Sequence, residues 1–391
     1  MKKNRGRVCE AGVGVIVILA MFVASPGTCE PPAGEFDGRV ERSLRAAIGQ
    51  GEMAGAVVMA TQAGELRCSI AVGDAQTLPG RRPMRIDTVF DLASLTKPVA
   101  TATAVMRLVQ QGKLKLEDPV SVHWPDFALN GKQEITIADL LLHQGGLIAD
   151  NALSDYDEND PASSWRRIAN LKPIAEPGEK FVYSDVGFLV LGRVVERVSG
   201  QTLGRYCRDQ IFAPLGMTET GYRPAEMLRN RAAASEKRDG KWLVGHVHDP
   251  RAARLGGVAG HAGLFSTAAD LVRYGEALVD RELATDGPLF RTAIRDRMIE
   301  PREVAGGHRR AYGWDIHSSY SSNRPSCFSE RAFGHGGFTG TVLWIDPADK
   351  RVFVFLSNRL HPDGSGSVNR LASEIADLIP WDTASRPAAR P

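Results

Sequence analysis

Apolar residues recur at two different periods along this chain, and the switch between them outlines its organisation. Over 36–48, Phe36, Val40, Leu44, Ala47 and Ile48 keep near-helical spacing and Gly49 ends the run, which predicts a helix. Residues 55–61 and 66–72 are short apolar-rich runs around Gly64 and predict the two arms of a hairpin. The middle of the chain then reads as helical. A long amphipathic helix is predicted from Ser94 to about Gln111, stopped by Gly112. Others follow over 136–143, opened by Thr136, over 186–198, over 203–212, and from a cap at 266–270 through Leu278. Strand patterning returns at 341–346 and 351–357, joined by a turn at 347–350, before a closing helix at 368–379. Strands at both ends with helices between them predict an α+β fold. It has one antiparallel sheet built from both chain ends, flanked by helices, with an inserted mainly helical region.

Composition adds a boundary rather than a new direction. The 391 residues are 43% hydrophobic and 24% charged, ordinary for a globular chain with a sizeable core. A net charge of +2 gives no reason to expect nucleic acid as a partner. The N-terminus is different in kind. Lys2, Lys3, Arg5 and Arg7 precede an apolar run at 11–23 and then Ala24, Ser25, Gly27 and Thr28. A charged start, an apolar run too short to span a membrane comfortably and small residues after it predict an export signal at 1–29. The expected division is that signal, one enzyme domain at 36–380 and a disordered tail at 381–391. Export to the periplasm or the extracellular space is expected, with an N-terminal membrane anchor, or a lipid on Cys29, as alternatives. The five cysteines are too scattered to define a disulfide framework.

The chemistry begins at Ser94-Leu95-Thr96-Lys97. One helical turn brings positions i and i+3 onto one face, so an amine at 97 can reach a hydroxyl at 94. A serine hydroxyl is a poor nucleophile until a neighbouring base takes its proton, and a lysine held neutral can be that base. Further along, Tyr183-Ser184-Asp185 places a phenol before a helix, and His335-Gly336-Gly337-Phe338 precedes a strand. A phenol can relay a proton, and glycines let a substrate approach backbone N–H groups that stabilise an oxyanion. His246, His248 and His261 with Asp249 raise a metal site, against which their glycine-rich surroundings read as a loop wall. The acidic stretch 150–160 reads as a solvated loop, and Trp165 and Trp314 as packed aromatics.

Ser-x-x-Lys, Tyr-x-Asp and His-Gly-Gly in this order resemble the serine hydrolases of the penicillin-binding protein and class C β-lactamase family, including its esterases. The likeness extends to Leu92-Ala93 before Ser94, to 111–120, to 137–147, to Glu176-Pro177-Gly178 and to 262–267. It implies a serine hydrolase without metal or organic cofactor, in which Ser94 is acylated, Lys97 shares or takes its proton and Tyr183 shuttles protons. Asp185, His335, Gly337 and Phe338 would contact substrate, with the N–H groups of Ser94 and Phe338 as the oxyanion hole. The implied substrate is a small molecule or a peptidoglycan-derived fragment holding an ester or amide, a cell-wall D-amino-acid peptide among the candidates. No stable protein partner is implied. β-Lactamase activity proper and a catalytically silent peptidoglycan- or penicillin-binding protein are the alternatives. Three positions depart from the pattern: Asp185 stands where the family usually has Asn, His335 where it has Lys, and Gly336 where it has a hydroxyl residue. On charge alone these changes disfavour β-lactams and peptides with a free carboxylate, and favour neutral substrates.

Overall fold

The computed structural model describes residues 35–279, 289–364 and 366–382. The expected export signal at 1–29 and nearly all of the tail expected from 381 lie outside them. Among the described residues, nine antiparallel strands form the main sheet. From one edge their order is Arg82–Pro83, Glu65–Gln76, Gly55–Gln62, Arg351–Ser357, Thr341–Asp346, Phe333–Gly337, Trp314–His317, His308–Ala311 and Arg302–Val304. The first hairpin of the described chain therefore pairs with its last strand, in a register that sets Val58 opposite Phe355. An antiparallel sheet built from both ends is what the strand patterning predicted.

Alternation along these strands divides the core in two, because successive side chains point to opposite faces. Val58, Val342, Trp344, Phe353 and Phe355 pack with Val40 and Leu44 of the helix Glu35–Gly49 and with Leu371 and Ile375 of the helix Asn369–Leu378. Val57, Leu343, Ile345, Val352 and Val354 face the other way, into the larger core shared with the inserted helices. Both faces are covered. That is why these strands read as almost continuous apolar runs. Among the described residues no helix is long and apolar enough to cross a membrane.

The segment after Ser94 departs from the expected regular helix. Ala93–Leu95 is a 3₁₀ turn, Lys97–Ala102 is wound more widely, and regular α-helix begins only at Thr103 and ends at Gln110. Two local causes act. Pro98 has no N–H to give to the helix ladder, and Thr103 Oγ1 donates to the Pro98 carbonyl at 2.8 Å. Before it, Ala93 is held at φ +45°, a conformation a residue with a Cβ rarely adopts. The helix expected at 203–212 is likewise regular only over Leu203–Cys207.

Candidate active site

The turn carrying Ser94 is tied down from both sides. Asp91 Oδ1 accepts the Ala93 N–H at 2.9 Å and its Oδ2 accepts the His248 N–H at 2.6 Å, which hold the unusual Ala93 backbone. Across the cleft, Thr339 Oγ1 donates to the Asp91 carbonyl at 2.7 Å and Thr341 Oγ1 to the Leu92 carbonyl at 3.0 Å. These bonds press Gly337 so close that a Cβ there would lie 2.3 Å from the Leu92 oxygen. Gly337 is thus required by the approach of the strand to the serine turn, and Phe338 follows it into the cleft.

Lys97 is fully buried, and its ammonium meets three acceptors. It donates to Ser94 Oγ at 2.9 Å and to the His261 carbonyl at 3.2 Å, and its nitrogen lies 2.6 Å from Asp185 Oδ1. The His261 carbonyl arrives there because Gly260 threads between helix and turn; a Cβ on it would lie 1.9 Å from the Phe188 oxygen. Burial by itself would strip the lysine of its proton, but Asp185 and Tyr183 outweigh it and hold the amine above its ordinary range. For Asp185 burial works the other way, and Lys97 with His261 keeps its carboxylate below the ordinary value. Lys97 at rest is an ammonium, not a free base.

Tyr183 stands between this group and the strand wall. Its ring lies 4.4 Å from His143 and 4.8 Å from Tyr320, centroid to centroid, and 4.9 Å from the Lys97 nitrogen. His143 Nδ1 accepts the Ser184 N–H at 3.0 Å, and Ser184 caps the helix Asp185–Ser199, so Tyr183 and Asp185 are placed by the helix start between them. Burial raises the phenol above its ordinary value despite the pull of Lys97, so it rests protonated. Tyr183 Oη lies 3.5 Å from His335 Nε2. His335 Nδ1 donates to the Gly336 carbonyl at 2.7 Å, which leaves Nε2 as the acceptor toward Tyr183. Burial first, then Arg310 and Lys97, push the imidazole well below its ordinary value. That direction favours the neutral imidazole at His335.

Ser94, Tyr183 and His335 open onto a cavity of about 330 Å³ that Arg310, Asp315, Tyr320, Asn323, Phe338 and Arg359 also line. Sequence reading missed most of that wall, Arg310 above all. Its side chain is fully buried, Nη1 lies 3.3 Å from Asp315 Oδ1, and Nε and Nη2 have no hydrogen-bond partner. The other Asp315 oxygen accepts from Ser321 Oγ at 2.7 Å. Arg359 donates to the Phe338 and Gly366 carbonyls and stacks 4.5 Å from the Phe338 ring. Among the described residues lining the cavity, two guanidiniums face one carboxylate. These two guanidiniums bring to the cavity wall cations that the charge argument from positions 185, 335 and 336 did not count.

The three histidines that raised a metal site enter different contacts. His246 lines a separate cavity with Arg223 and Arg229, and His248 stacks on Phe338 at 5.4 Å. Asp185, Asp249 and His261 do present ligand atoms within 4.8 Å of one another. The cation beside Asp185 is the Lys97 ammonium, and Asp249 Oδ1 bonds His261 Nε2 at 2.9 Å. Trp314 packs on Phe333 in the core, Trp165 against Trp124, and in the acidic stretch Asp160 caps the helix Pro161–Ala169.

Comparison with known proteins bears on the family and the fold. The family model described as Beta-lactamase matches residues 39–377. An N-acetylmuramyl-L-alanine amidase of Bacillus subtilis (strain 168) is 32% identical across 84% of this chain and 81% of its own length. A protein of Escherichia coli (strain K12) named "Putative D-alanyl-D-alanine carboxypeptidase" is 33% identical across 70% of each. Among solved structures, EstCE1, a hydrolase with promiscuous acyltransferase activity, superposes with a TM-score of 0.71 at 24% identity, covering 88% of this chain and 98% of its own. A class C β-lactamase does so at 0.70 and 18%, covering 88% and 95%. At such identities these two likenesses speak for the fold alone.

Proposed function

Since the chain belongs to the Beta-lactamase family and is a serine hydrolase of that family, we propose that it is an exported enzyme cleaving an amide or ester of a peptidoglycan-derived substrate through a Ser94 acyl-enzyme. Residues 36–380 would be its catalytic domain and 1–29 its export signal. Lys97 manages the serine proton, Tyr183 hands a proton to the leaving group and later takes one from water, and the Ser94 and Phe338 N–H groups receive the oxyanion. His335 orients the Tyr183 hydroxyl. What carries the substrate reading is the cavity beside Ser94, whose guanidinium excess suits an anion on the substrate, as cell-wall peptides carry. The relatives' names point to the same material. Intact serine, lysine and tyrosine in contact speak against a silent binding protein.

The test is a panel on the purified chain: a muramyl-L-alanine peptide, a D-alanyl-D-alanine peptide, nitrocefin and a short p-nitrophenyl ester. The expected result is turnover of a carboxylate-bearing peptide with higher kcat/KM than the ester, abolished in Ser94→Ala. Efficient turnover of the ester alone would overturn the peptidoglycan assignment, and nitrocefin as the best substrate would make the protein a β-lactamase. Stoichiometric acylation without turnover would make it a binder.

A further inference from the structure

Behind Lys97 lies a set of charged groups that the acyl-enzyme scheme does not use. Asp185 is the first residue of its helix, where the unpaired N–H groups favour an anion. Asp249 caps the short helix Pro250–Arg254, accepting the Ala252 N–H at 2.7 Å, and the same oxygen bonds His261 Nε2. The backbone carbonyl of that histidine is one of the three acceptors of the Lys97 ammonium. Two helix starts and one loop thus converge on the back of a single amine.

This arrangement creates a difficulty and offers its solution. An ammonium that already donates to Ser94 cannot also take the serine proton. Tyr183, protonated at rest, is no better placed to do so. The nearest vacancy for a proton is Asp185 Oδ1, 2.6 Å from the lysine nitrogen. We propose that Asp185 is the terminal proton acceptor for Ser94, acting through Lys97, and that the Asp249–His261 pair positions it for that role. One Lys97 proton crosses to Asp185 Oδ1, leaving a neutral amine and a neutral acid. The amine then takes the Ser94 proton as Oγ bonds to the substrate carbonyl carbon. When the acyl–leaving-group bond breaks, Lys97 returns a proton through Tyr183 to the leaving group and regains one from Asp185, so the count closes. The first transfer removes two charges from a buried place, a change that burial favours.

The groups facing Asp185 are Lys97 and Tyr183 on its front and His261 and Asp249 behind. Asp150, ion-paired with Arg251 at 3.5 Å, lies on the loop side. Lys97 and His261 favour the carboxylate, whereas Asp249 favours the acid. Asp185 is therefore balanced between neighbours of both signs.

The experiment is the pH dependence of the acylation burst with p-nitrophenyl acetate, from about pH 4 to about pH 10. The inference rests on Ser94 being acylated, and absence of any burst in the native protein would count against that reading and this one together. With a burst present, the native profile is expected to stay flat through neutrality, with its acid limb in the carboxylate range or below. Asp185→Asn is expected to move that limb up by about two pH units or more, so acylation near pH 6 falls about a hundredfold. Asp185→Glu should bring the limb back toward its native position. His261→Gln, which removes one influence keeping Asp185 ionised, should raise the limb by less than Asp185→Asn does. If Asp185 only braces the ammonium, its loss frees Lys97 to deprotonate sooner and the limb moves down; that result, or no movement, overturns the proposal. Should the Asn variant not fold, the native profile decides, since a rate that climbs only through the lysine range overturns it as well. An unmoved limb in His261→Gln removes the Asp249–His261 pair from the scheme.

Discussion

On the helical wall of the cleft, polar groups meet closely: the Lys97 nitrogen lies 2.6 Å from Asp185, and His261 Nε2 lies 2.9 Å from Asp249. On the strand wall, Arg310 has Asp315 at 3.3 Å and two nitrogens without a hydrogen-bond partner, while Arg359 donates to the Phe338 and Gly366 carbonyls. Both walls are largely buried, so dielectric does not explain the contrast. The difference separates two tasks. Lys97 and Asp185, spent on one another, can pass a proton between them but have little left for a ligand. A wall with buried donors left over retains the desolvation cost of those groups until something anionic arrives.

The largest expected effect breaks the paired wall. Lys97→Ala removes the partner of Ser94 and leaves the Asp185 carboxylate buried without its cation. Acylation is expected to fall by about 10²–10⁴-fold, as loss of an acid–base group commonly does. Stability should fall by about 3–5 kcal/mol, because an uncompensated buried charge remains. Burst kinetics and a urea titration measure the two. Near-native acylation with the stability loss would reduce Lys97 to a structural ion.

The second effect tests the open wall. Replacing Arg310 alone would strand Asp315, so the informative variant is Arg310→Gln combined with Asp315→Asn. A charged hydrogen bond is worth about 1.5–3 kcal/mol, so KM for a carboxylate-bearing peptide should rise about ten- to a hundredfold. Turnover of a neutral p-nitrophenyl ester should change little. Equal losses for both substrates would mean that Arg310 holds the wall together rather than reading the substrate.

The same contrast explains what the sequence disclosed. The long apolar runs at Thr341–Asp346 and Arg351–Ser357 are legible because both sheet faces are buried, and the helix Asp185–Ser199 because it has a serine cap and a helical apolar period. Ser94, Lys97, Tyr183 and His335 stood out as residue types in a recognisable order. The strands Arg302–Val304, His308–Ala311 and Trp314–His317 did not, because each has only three or four residues and most are polar. Arg310 belongs to one of these. A polar strand residue is expected at the surface, and only tertiary packing turns this one inward. The winding after Ser94 was hidden for a similar reason. Apolar spacing carries no trace of the Ala93 backbone, which depends on hydrogen bonds accepted by Asp91, far from its partner His248 in sequence.

The smallest effect concerns His335, and it decides whether the strand wall carries its positive charge on arginine alone. Its folded-state value lies well below the ordinary 6.5, chiefly through burial and then through Arg310 and Lys97. The sign follows from comparing states. Above pH 6.5 the imidazole is neutral in both folded and unfolded chains, and its contribution does not vary. As pH falls below that value the unfolded chain gains a proton that the folded site refuses. Stability is therefore present above the unfolded value and lost as pH falls, by about 1.4 kcal/mol per pH unit for this residue. His143 is depressed in the same direction and adds to the native slope, so the native protein must be compared with His335→Gln rather than taken by itself. Between about pH 7.5 and about pH 5.5, the variant should lose less stability than the native protein by about 1.4 kcal/mol. Paired urea titrations measure that gap. A gap of the opposite sign would mean that His335 takes up its proton more readily when folded. The wall would then hold an imidazolium beside Arg310, and the proposed anion site would contain three cations rather than two.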